Sequence, residues 1–156
     1  MKAPASADRA ALHEFVAKHQ RFLLTTHVNP DGDAIGSEVA FAAWLIGKGK
    51  SVRLLNDSPT PPAFRYLTDG YLAEVYDEAL CEQRFSEADA LVVLDTSNKQ
   101  RIGRLAKHLD HHLIAVAIVD HHATHEGFGK VNVIESDMAA SAVRASMMWS
   151  LSRMSS

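Results

Sequence analysis

Aspartate and histidine residues cluster at three places in the chain, each directly after an apolar run. The first is the segment His27-Val28-Asn29-Pro30-Asp31-Gly32-Asp33, which follows RFLLTT. The second is Asp95, which follows ADALVVL, and the third is Asp120-His121-His122, which follows LIAVAIV. Carboxylates and imidazoles in such groups bind divalent cations and transfer protons. The three groups are therefore candidate parts of one metal-dependent site.

Each group also has a structural interpretation. Pro30 and Gly32 favour a tight turn that lets the neighbouring side chains face inward, but NPDG can equally be a β-turn with Asp33 capping the next helix. Asp95 can cap a helix as well. The histidines after the third run are harder to explain by packing, because a buried neutral imidazole still needs hydrogen-bond partners.

The apolar pattern predicts an α/β fold of three layers, α/β/α, with a mainly parallel sheet. Runs that are apolar at every position are typical of strands buried on both faces of such a sheet. We predict strands over residues 21–26, 51–56, 71–76, 88–94, 113–119 and 131–134. We predict helices over residues 9–20, 34–48, 101–109 and 139–153, and an irregular proline-rich connection over 57–63.

Two of these helices have a predicted apolar face at helical spacing. In the helix over 9–20 it comprises Leu12, Phe15, Val16 and His19. In the helix over 34–48 it comprises Ile35, Val39, Ala42, Ala43 and Ile46.

The predicted sheet brings the three polar groups together. Ligands of α/β sheets bind at the carboxyl ends of the strands, and Thr26-His27, Leu94-Asp95 and Val119-Asp120 are three such ends. This many acidic groups would leave an uncompensated negative pocket unless cations occupied it. Mixed aspartate and histidine ligation with room for water favours Mn²⁺ or Mg²⁺ over a closed zinc site, which would favour cysteines. A carboxylate that bridges two ions about 3.5–4 Å apart activates water for attack on phosphorus, and Asp95, on the middle strand, is the expected bridge.

The ordered motifs resemble those of a known family. HVNPDGD, then LVVLDTS with Arg101 and Gly103, then IVDHH resemble the first three motifs of the DHH phosphoesterases, over residues 21–144. Within the family, they are most similar to bacterial oligoribonucleases that also dephosphorylate 3′-phosphoadenosine 5′-phosphate. A second triplet, Asp110-His111-His112, precedes a predicted strand, and we expect it to be a surface copy without a role.

The resemblance implies a site for two Mn²⁺ or Mg²⁺ ions. One ion would bind His27, Asp31 and Asp95, and the other would bind Asp33, Asp95 and His121. The implied reaction is hydrolysis of phosphodiester or phosphomonoester bonds by metal-activated water.

The resemblance also assigns catalytic roles to three further residues. His122 would contact the scissile phosphate or orient the attacking water, Asp120 would hold the imidazoles in place, and Asn29 would approach the phosphate. The implied substrates are short single-stranded RNA or DNA and nucleotide 3′-phosphates.

Two departures from the family pattern limit these expectations. The sequence lacks the fourth motif, with its further aspartate, and the glycine-rich C-terminal domain that grips substrate in the family. Asp137 is better explained as a helix cap, and Arg144 stands where relatives often have an acidic residue. We therefore expect one domain over residues 1–156, a weakly bound second ion and low activity compared with a full-length relative.

Three alternatives stay open at this point. Other activities of the superfamily fit the same motifs: single-strand exonuclease, polyphosphatase, pyrophosphatase and cyclic dinucleotide phosphodiesterase. A truncated, non-catalytic domain that binds metal or nucleotide is the second alternative. The third, a purely structural interaction module, would require the ligand set to be coincidental.

Composition limits the class of protein and the compartment in which it acts. The 156 residues are 47% hydrophobic, enough for a core, and the net charge of −3 excludes general polyanion binding, so any nucleic-acid contact must be local. The single cysteine, Cys81, cannot form an internal disulfide and fits the cytoplasm, where we expect it to be inert. No segment is long and apolar enough for a signal peptide or a membrane span. The sequence leaves open whether the protein forms a homodimer.

Histidine is unusually frequent in this chain. Six of the nine histidines lie between His108 and His125.

Overall fold

The computed structural model describes residues 5–134 apart from positions 72, 97 and 123. In this part of the chain, six strands form one parallel sheet in the order β3-β2-β1-β4-β5-β6. The strands are β1 (Arg21–Thr25), β2 (Ser51–Asn56), β3 (Ala73–Val75), β4 (Ala90–Leu94), β5 (Ala115–Asp120) and β6 (Val131–Ile134). The helices are α1 (Ala5–Lys18), α2 (Gly32–Gly47), α3 (Arg65–Thr68), α4 (Glu78–Glu87) and α5 (Ala106–His111), with 3₁₀ segments at Pro62–Phe64 and Lys99–Leu105.

The sheet separates two apolar cores, because successive side chains of a strand point to opposite faces. On one face, Phe22 and Leu24 of β1 pack with residues of α1 and α2. On the other face, Leu23 packs with residues of α4, α5 and the 3₁₀ segment before α5. The predicted three-layer α/β fold with a parallel sheet is confirmed. The predicted helix over 139–153, with Asp137 and Arg144, lies outside the described residues.

The face that α2 presents to the sheet differs from the predicted one. Ile35 and Ala42 are buried as expected, but Ile46 is 50% exposed. Phe41, Trp44 and Leu45 are buried instead, and the two aromatic side chains remove more apolar area from water than Ile46 would. In α1, Leu12, Phe15 and Val16 form the buried face as predicted, and His19 follows the helix end.

The connections also correct the prediction in detail. The proline-rich segment is not wholly irregular, because a 3₁₀ turn begins at Pro62, a position where the missing N–H is not needed. The short helices α3 and α4 had no predicted counterpart, and Asp77 caps α4 through a bond from the Leu80 N–H to its side chain. β5 begins at Ala115 and not at Leu113, whose side chain is fully exposed.

The strand order determines where a site can form. The chain runs outward from β1 to β2 and β3, and then returns to β4 on the other side of β1. At such a reversal, the helices on either side diverge and leave a crevice at the carboxyl ends of the two central strands. β4 lies between β1 and β5, as the sequence predicted. Over the described residues, the helices are too short or too polar to cross a bilayer.

Candidate metal centre

His27 follows the end of β1, and hydrogen bonds hold the backbone there. The Thr26 N–H donates to Asn56 Oδ1 over 2.9 Å, and the Thr26 hydroxyl donates to the Leu94 carbonyl over 2.8 Å. The imidazole is buried, and its Nδ1 lies 2.8 Å from the Val28 carbonyl. Because a carbonyl only accepts, Nδ1 carries the proton and Nε2 keeps its lone pair for a ligand.

Asp95 follows β4 and lies between two histidines. Its Oδ2 is 3.5 Å from His27 Nε2, and its Oδ1 is 3.0 Å from His121 Nε2. Its backbone adopts a left-handed conformation with φ of 55°, which is strained for a non-glycine residue and typical of functional positions. The two carboxylate oxygens thus face opposite sides of the predicted site.

The pKa values agree with an ionised carboxylate between imidazoles. Burial pushes the pKa of Asp95 upward, but contact with His27 and attraction from His121 outweigh it and hold the pKa below its ordinary value. The same contact with Asp95 raises the pKa of His27 against the effect of its own burial. Divalent cations would compete with protons for these groups.

Asp31 and Asp33 lie on either side of Asp95. The Asp31 Oδ1 is 3.9 Å from His27 Nε2, and the Asp33 Oδ2 is 3.3 Å from His121 Nε2. The sequence left open a capping role for Asp33, but the cap of α2 is Asp31, whose Oδ1 accepts from the Ala34 N–H over 2.9 Å. Capping occupies one oxygen of Asp31, and its side chain is 66% exposed.

Asp120, at the end of β5, is fully buried beneath the histidines. Its Oδ1 accepts from His122 Nδ1 over 2.6 Å, and the His121 and His122 rings stack with centroids 4.6 Å apart. Sequence reasoning missed His125, whose Nε2 donates to the Thr96 carbonyl over 3.1 Å and lies 3.7 Å from Asp120 Oδ2. The density of histidines between His108 and His125 was the signal that could have identified it.

Asn29 and the segment after Asp95 shape the rim. Asn29 is exposed, has a φ of 50°, and its N–H donates to Ser58 Oγ over 3.0 Å. The Val28 N–H donates to the Arg101 carbonyl over 2.7 Å. At Gly103, with φ of 67°, an added Cβ would lie 2.5 Å from Asp57 Cγ, so this position requires glycine.

Glu38 is a buried residue near the site that the sequence did not single out. It lies on α2, three residues after Ile35, and its Oε2 accepts from Asn56 Nδ2 over 2.9 Å. Asn56 Oδ1 in turn accepts from Thr26, so Glu38 supports the backbone that precedes His27. Complete burial raises the pKa of Glu38 to about 8. A glutamate on the apolar face of a predicted helix was the available signal.

The residues present fit a two-ion centre. Donor atoms of His27, Asp31 and Asp95 lie within 4.8 Å of one another. A second group at the same edge, in which Asp95 recurs, comprises Asp95, Asp120, His121 and His122. One carboxylate shared by two groups of nitrogen and oxygen donors is the arrangement of two-metal hydrolytic sites.

The second Asp-His-His triplet lies elsewhere. Asp110 and His111 are exposed on α5, and the Asp110 carboxylate pairs with Lys99. These two residues fit the expected surface copy. His112 does not, because its ring packs on Phe85.

Comparison with known proteins gives the family. Residues 21–155 match the model of the DHH family, N-terminal domain. The chain is 32% identical over 120 residues to the bifunctional oligoribonuclease and PAP phosphatase NrnA of Thermus thermophilus, covering 76% of this chain and 33% of that protein. It thus spans about a third of the length of the curated relatives it matches.

Solved structures share the fold. An exopolyphosphatase-related protein from Bacteroides fragilis superposes with a TM-score of 0.86 at 21% identity, over 99% of this chain and 45% of that one. RecJ from Thermus thermophilus in complex with Mn²⁺ gives 0.55 at 14% identity, over 93% of this chain and 20% of that one. On the family match and the shared α/β fold together, the chain belongs to the DHH family and corresponds to its N-terminal domain.

Proposed function

We propose that this chain is a metal-dependent phosphoesterase that hydrolyses phosphodiester or phosphomonoester bonds of short oligonucleotides or nucleotide 3′-phosphates. The observation that carries the proposal is the position of Asp95, whose two oxygens face His27 on one side and His121 on the other. The resemblance of the chain to an oligoribonuclease and PAP phosphatase supports the substrate class.

The proposed ligands form two sets that share Asp95. His27, Asp31 and Asp95 would hold one ion, and Asp33, Asp95 and His121 would hold the other. Mn²⁺ or Mg²⁺ bound there would activate a water molecule and neutralise charge on the phosphate.

The neighbouring side chains are proposed to position the substrate. Asp120 accepts the Nδ1 proton of His122, which fixes the ring and leaves Nε2 to face the phosphate or the attacking water. The His122 side chain is partly exposed, as a group that meets substrate must be. The exposed amide of Asn29 is a second donor for phosphate oxygens.

The proposal extends to the domain, its compartment and the size of its substrate. Residues 1–156 would form one DHH domain that acts in the cytoplasm and can form a homodimer, which sedimentation would detect. The net charge of −3 places the affinity for phosphate in the local site and not in the general surface. Short substrates fit this better than long nucleic acids, which proteins usually bind through many basic contacts.

The experiment uses the two Asp-His-His triplets as matched partners. The chain is stripped with EDTA, and Mn²⁺ binding is measured by calorimetry for the wild type, D95N, H121N and H111N. Hydrolysis of a dinucleotide, a trinucleotide, 3′-phosphoadenosine 5′-phosphate, polyphosphate and pyrophosphate is then measured with Mn²⁺. We expect H121N to lose activity by about a hundredfold or more, as for a group that acts at the metal, and H111N to match the wild type.

Three results would contradict the proposal in different ways. Mn²⁺ binding without turnover of any substrate would indicate a binding domain. Turnover of polyphosphate or pyrophosphate alone would place the chain with another activity of the superfamily. Unchanged Mn²⁺ binding by D95N would show that the ligand set is coincidental.

A further inference from the structure

A second group of metal-capable side chains lies between α4 and α5. It consists of Glu82 on α4, His108 on α5 and His112 directly after α5, and we call it the helix-layer cluster. The two histidines are four residues apart and therefore share one side of the chain as it leaves α5. His112 precedes β5 by three residues, at the amino end of that strand, whereas the site around Asp95 lies at the carboxyl ends.

The donor atoms of the cluster converge. His108 Nδ1 is 3.3 Å from Glu82 Oε2, and His112 Nε2 is 3.1 Å from Glu82 Oε1. One donor atom from each residue lies within 4.8 Å of the other two. A single cation placed among the three atoms could therefore contact two imidazole nitrogens and one carboxylate.

The buried imidazoles lack the hydrogen bonds that such groups normally have. The His108 side chain is only 2% exposed, yet neither of its nitrogens makes a hydrogen bond within the described part of the chain. The same is true of His112 Nε2. His108 Nδ1 and His112 Nε2 face the Glu82 oxygens at ion-pair distance without the geometry of a hydrogen bond. Buried polar nitrogens are nearly always hydrogen-bonded, so two that face one carboxylate in this way point to a cation held among the three groups.

The surroundings hold the imidazoles in place and leave one side open. The Phe85 ring packs against both, with centroids 5.4 Å from His108 and 5.5 Å from His112. Glu78 Oε1 is 3.8 Å from His108 Nε2, the nitrogen that faces away from Glu82, and metal-bound imidazoles commonly have a carboxylate on that side. The Glu82 side chain is 61% exposed, so a cation has access from solvent.

We propose that Glu82, His108 and His112 bind a Zn²⁺ ion that joins α4 to α5, separate from the site around Asp95. Two imidazoles and one carboxylate, with a fourth position open to water, are a donor set that zinc prefers. Mg²⁺ and Ca²⁺ prefer oxygen ligands and would bind here poorly. Such an ion binds only the folded chain and therefore stabilises it.

His111, the last residue of α5, and His112, which follows it, supply the matched test. Zn²⁺ is titrated by calorimetry into the metal-free full chain in the D95N background, which removes the carboxylate shared by the two ion sets of the other site. We expect H111N, which replaces an exposed histidine, to bind Zn²⁺ as its parent does. H112N should lose affinity by about a hundredfold or more, since even losing a supporting contact costs 10–100-fold. Equal Zn²⁺ binding by H111N and H112N would overturn the proposal, as would no binding at all.

A second pair of variants covers the case in which H112N fails to fold. E82A and Q83A replace adjacent exposed residues of α4, and neither removes a core side chain. In the D95N background, Zn²⁺ should raise the Tm of Q83A and not that of E82A, and Co²⁺ should give Q83A alone the visible absorption of a low-coordinate site. With Asp95 intact, Mn²⁺-dependent hydrolysis should be equal in E82A and Q83A. Equal Tm shifts in the two variants would mean that Glu82 is only an ion-pair partner of the histidines.

Discussion

Replacing Glu38 by glutamine should remove a large pH dependence of stability. Folding raises the pKa of Glu38 from an ordinary 4.5 to about 8, because burial of the carboxyl group outweighs the hydrogen bond from Asn56 and the attraction of His27. Between these two values the folded chain holds a proton that the unfolded chain releases. The group's stabilising contribution is therefore complete below pH 4.5 and is lost as the pH rises toward 8.

The magnitude follows from the two pKa values. Each pH unit inside the window costs up to about 1.4 kcal/mol, and the integrated loss between pH 5 and pH 7 is about 2.5 kcal/mol. Glutamine has nearly the same shape and keeps an oxygen for the Asn56 side chain, but it does not ionise. E38Q should thus gain about 2.5 kcal/mol relative to the wild type over this interval.

The assay is urea unfolding of both proteins at several pH values with EDTA present, so that metal binding does not contribute. The titration of His27 occurs in both proteins and largely cancels in their difference. E14Q is the control, because Glu14 is exposed on α1 and burial does not dominate its pKa. A difference between wild type and E38Q that stays constant from pH 5 to pH 7 would refute the reasoning, since it would mean that the buried carboxyl keeps an ordinary pKa.

Three further changes test other parts of the structure. D31A should lower the free energy of unfolding by about 1 kcal/mol and weaken Mn²⁺ binding, because Asp31 caps α2. D31N should keep the cap and lose only metal affinity. Urea unfolding and calorimetry separate the two effects, and equal stability of D31A and D31N would reject the capping role. G103A should cost about 2–4 kcal/mol of unfolding free energy, because φ is positive and the new Cβ meets Asp57; an unchanged Tm would contradict this. Burial raises the pKa of Cys81 to about 12, so iodoacetamide at pH 8 should label it only in urea, and rapid labelling of the native chain would show an accessible thiol.

The sequence by itself indicated the sheet and the edge where the site lies. Strands buried on both faces must be apolar at every position, so ADALVVL and LIAVAIV stand out without any knowledge of their partners. In a parallel sheet all strands point the same way, which is why the residues after three such runs could be expected to meet. That Asp95 lies on the middle strand follows from the same logic, and β4 does lie between β1 and β5.

Only the tertiary structure decided the role of each carboxylate in the first motif. Asp31 and Asp33 are two residues apart and chemically identical, yet Asp31 caps α2 and Asp33 faces His121. The difference depends on where α2 begins and on how it lies against the sheet, where Phe41 and Trp44 pack into the core. Glu38 went unnoticed for a related reason, because its partner Asn56 is distant in sequence.

The two Asp-His-His triplets give the clearest case. Their residues are the same, but Asp120-His121-His122 follows a buried strand and Asp110-His111-His112 ends a helix before one. The sequence separated them by this position, and in the structure His121 lies 3.0 Å from Asp95 whereas Asp110 and His111 are exposed on α5. It could not predict that His112 turns inward toward Glu82, because that contact depends on α4, a helix without a clear apolar period in the sequence. The local sequence pattern thus predicted which residues lie at the edge of the sheet, and long-range packing determined which side chains they contact.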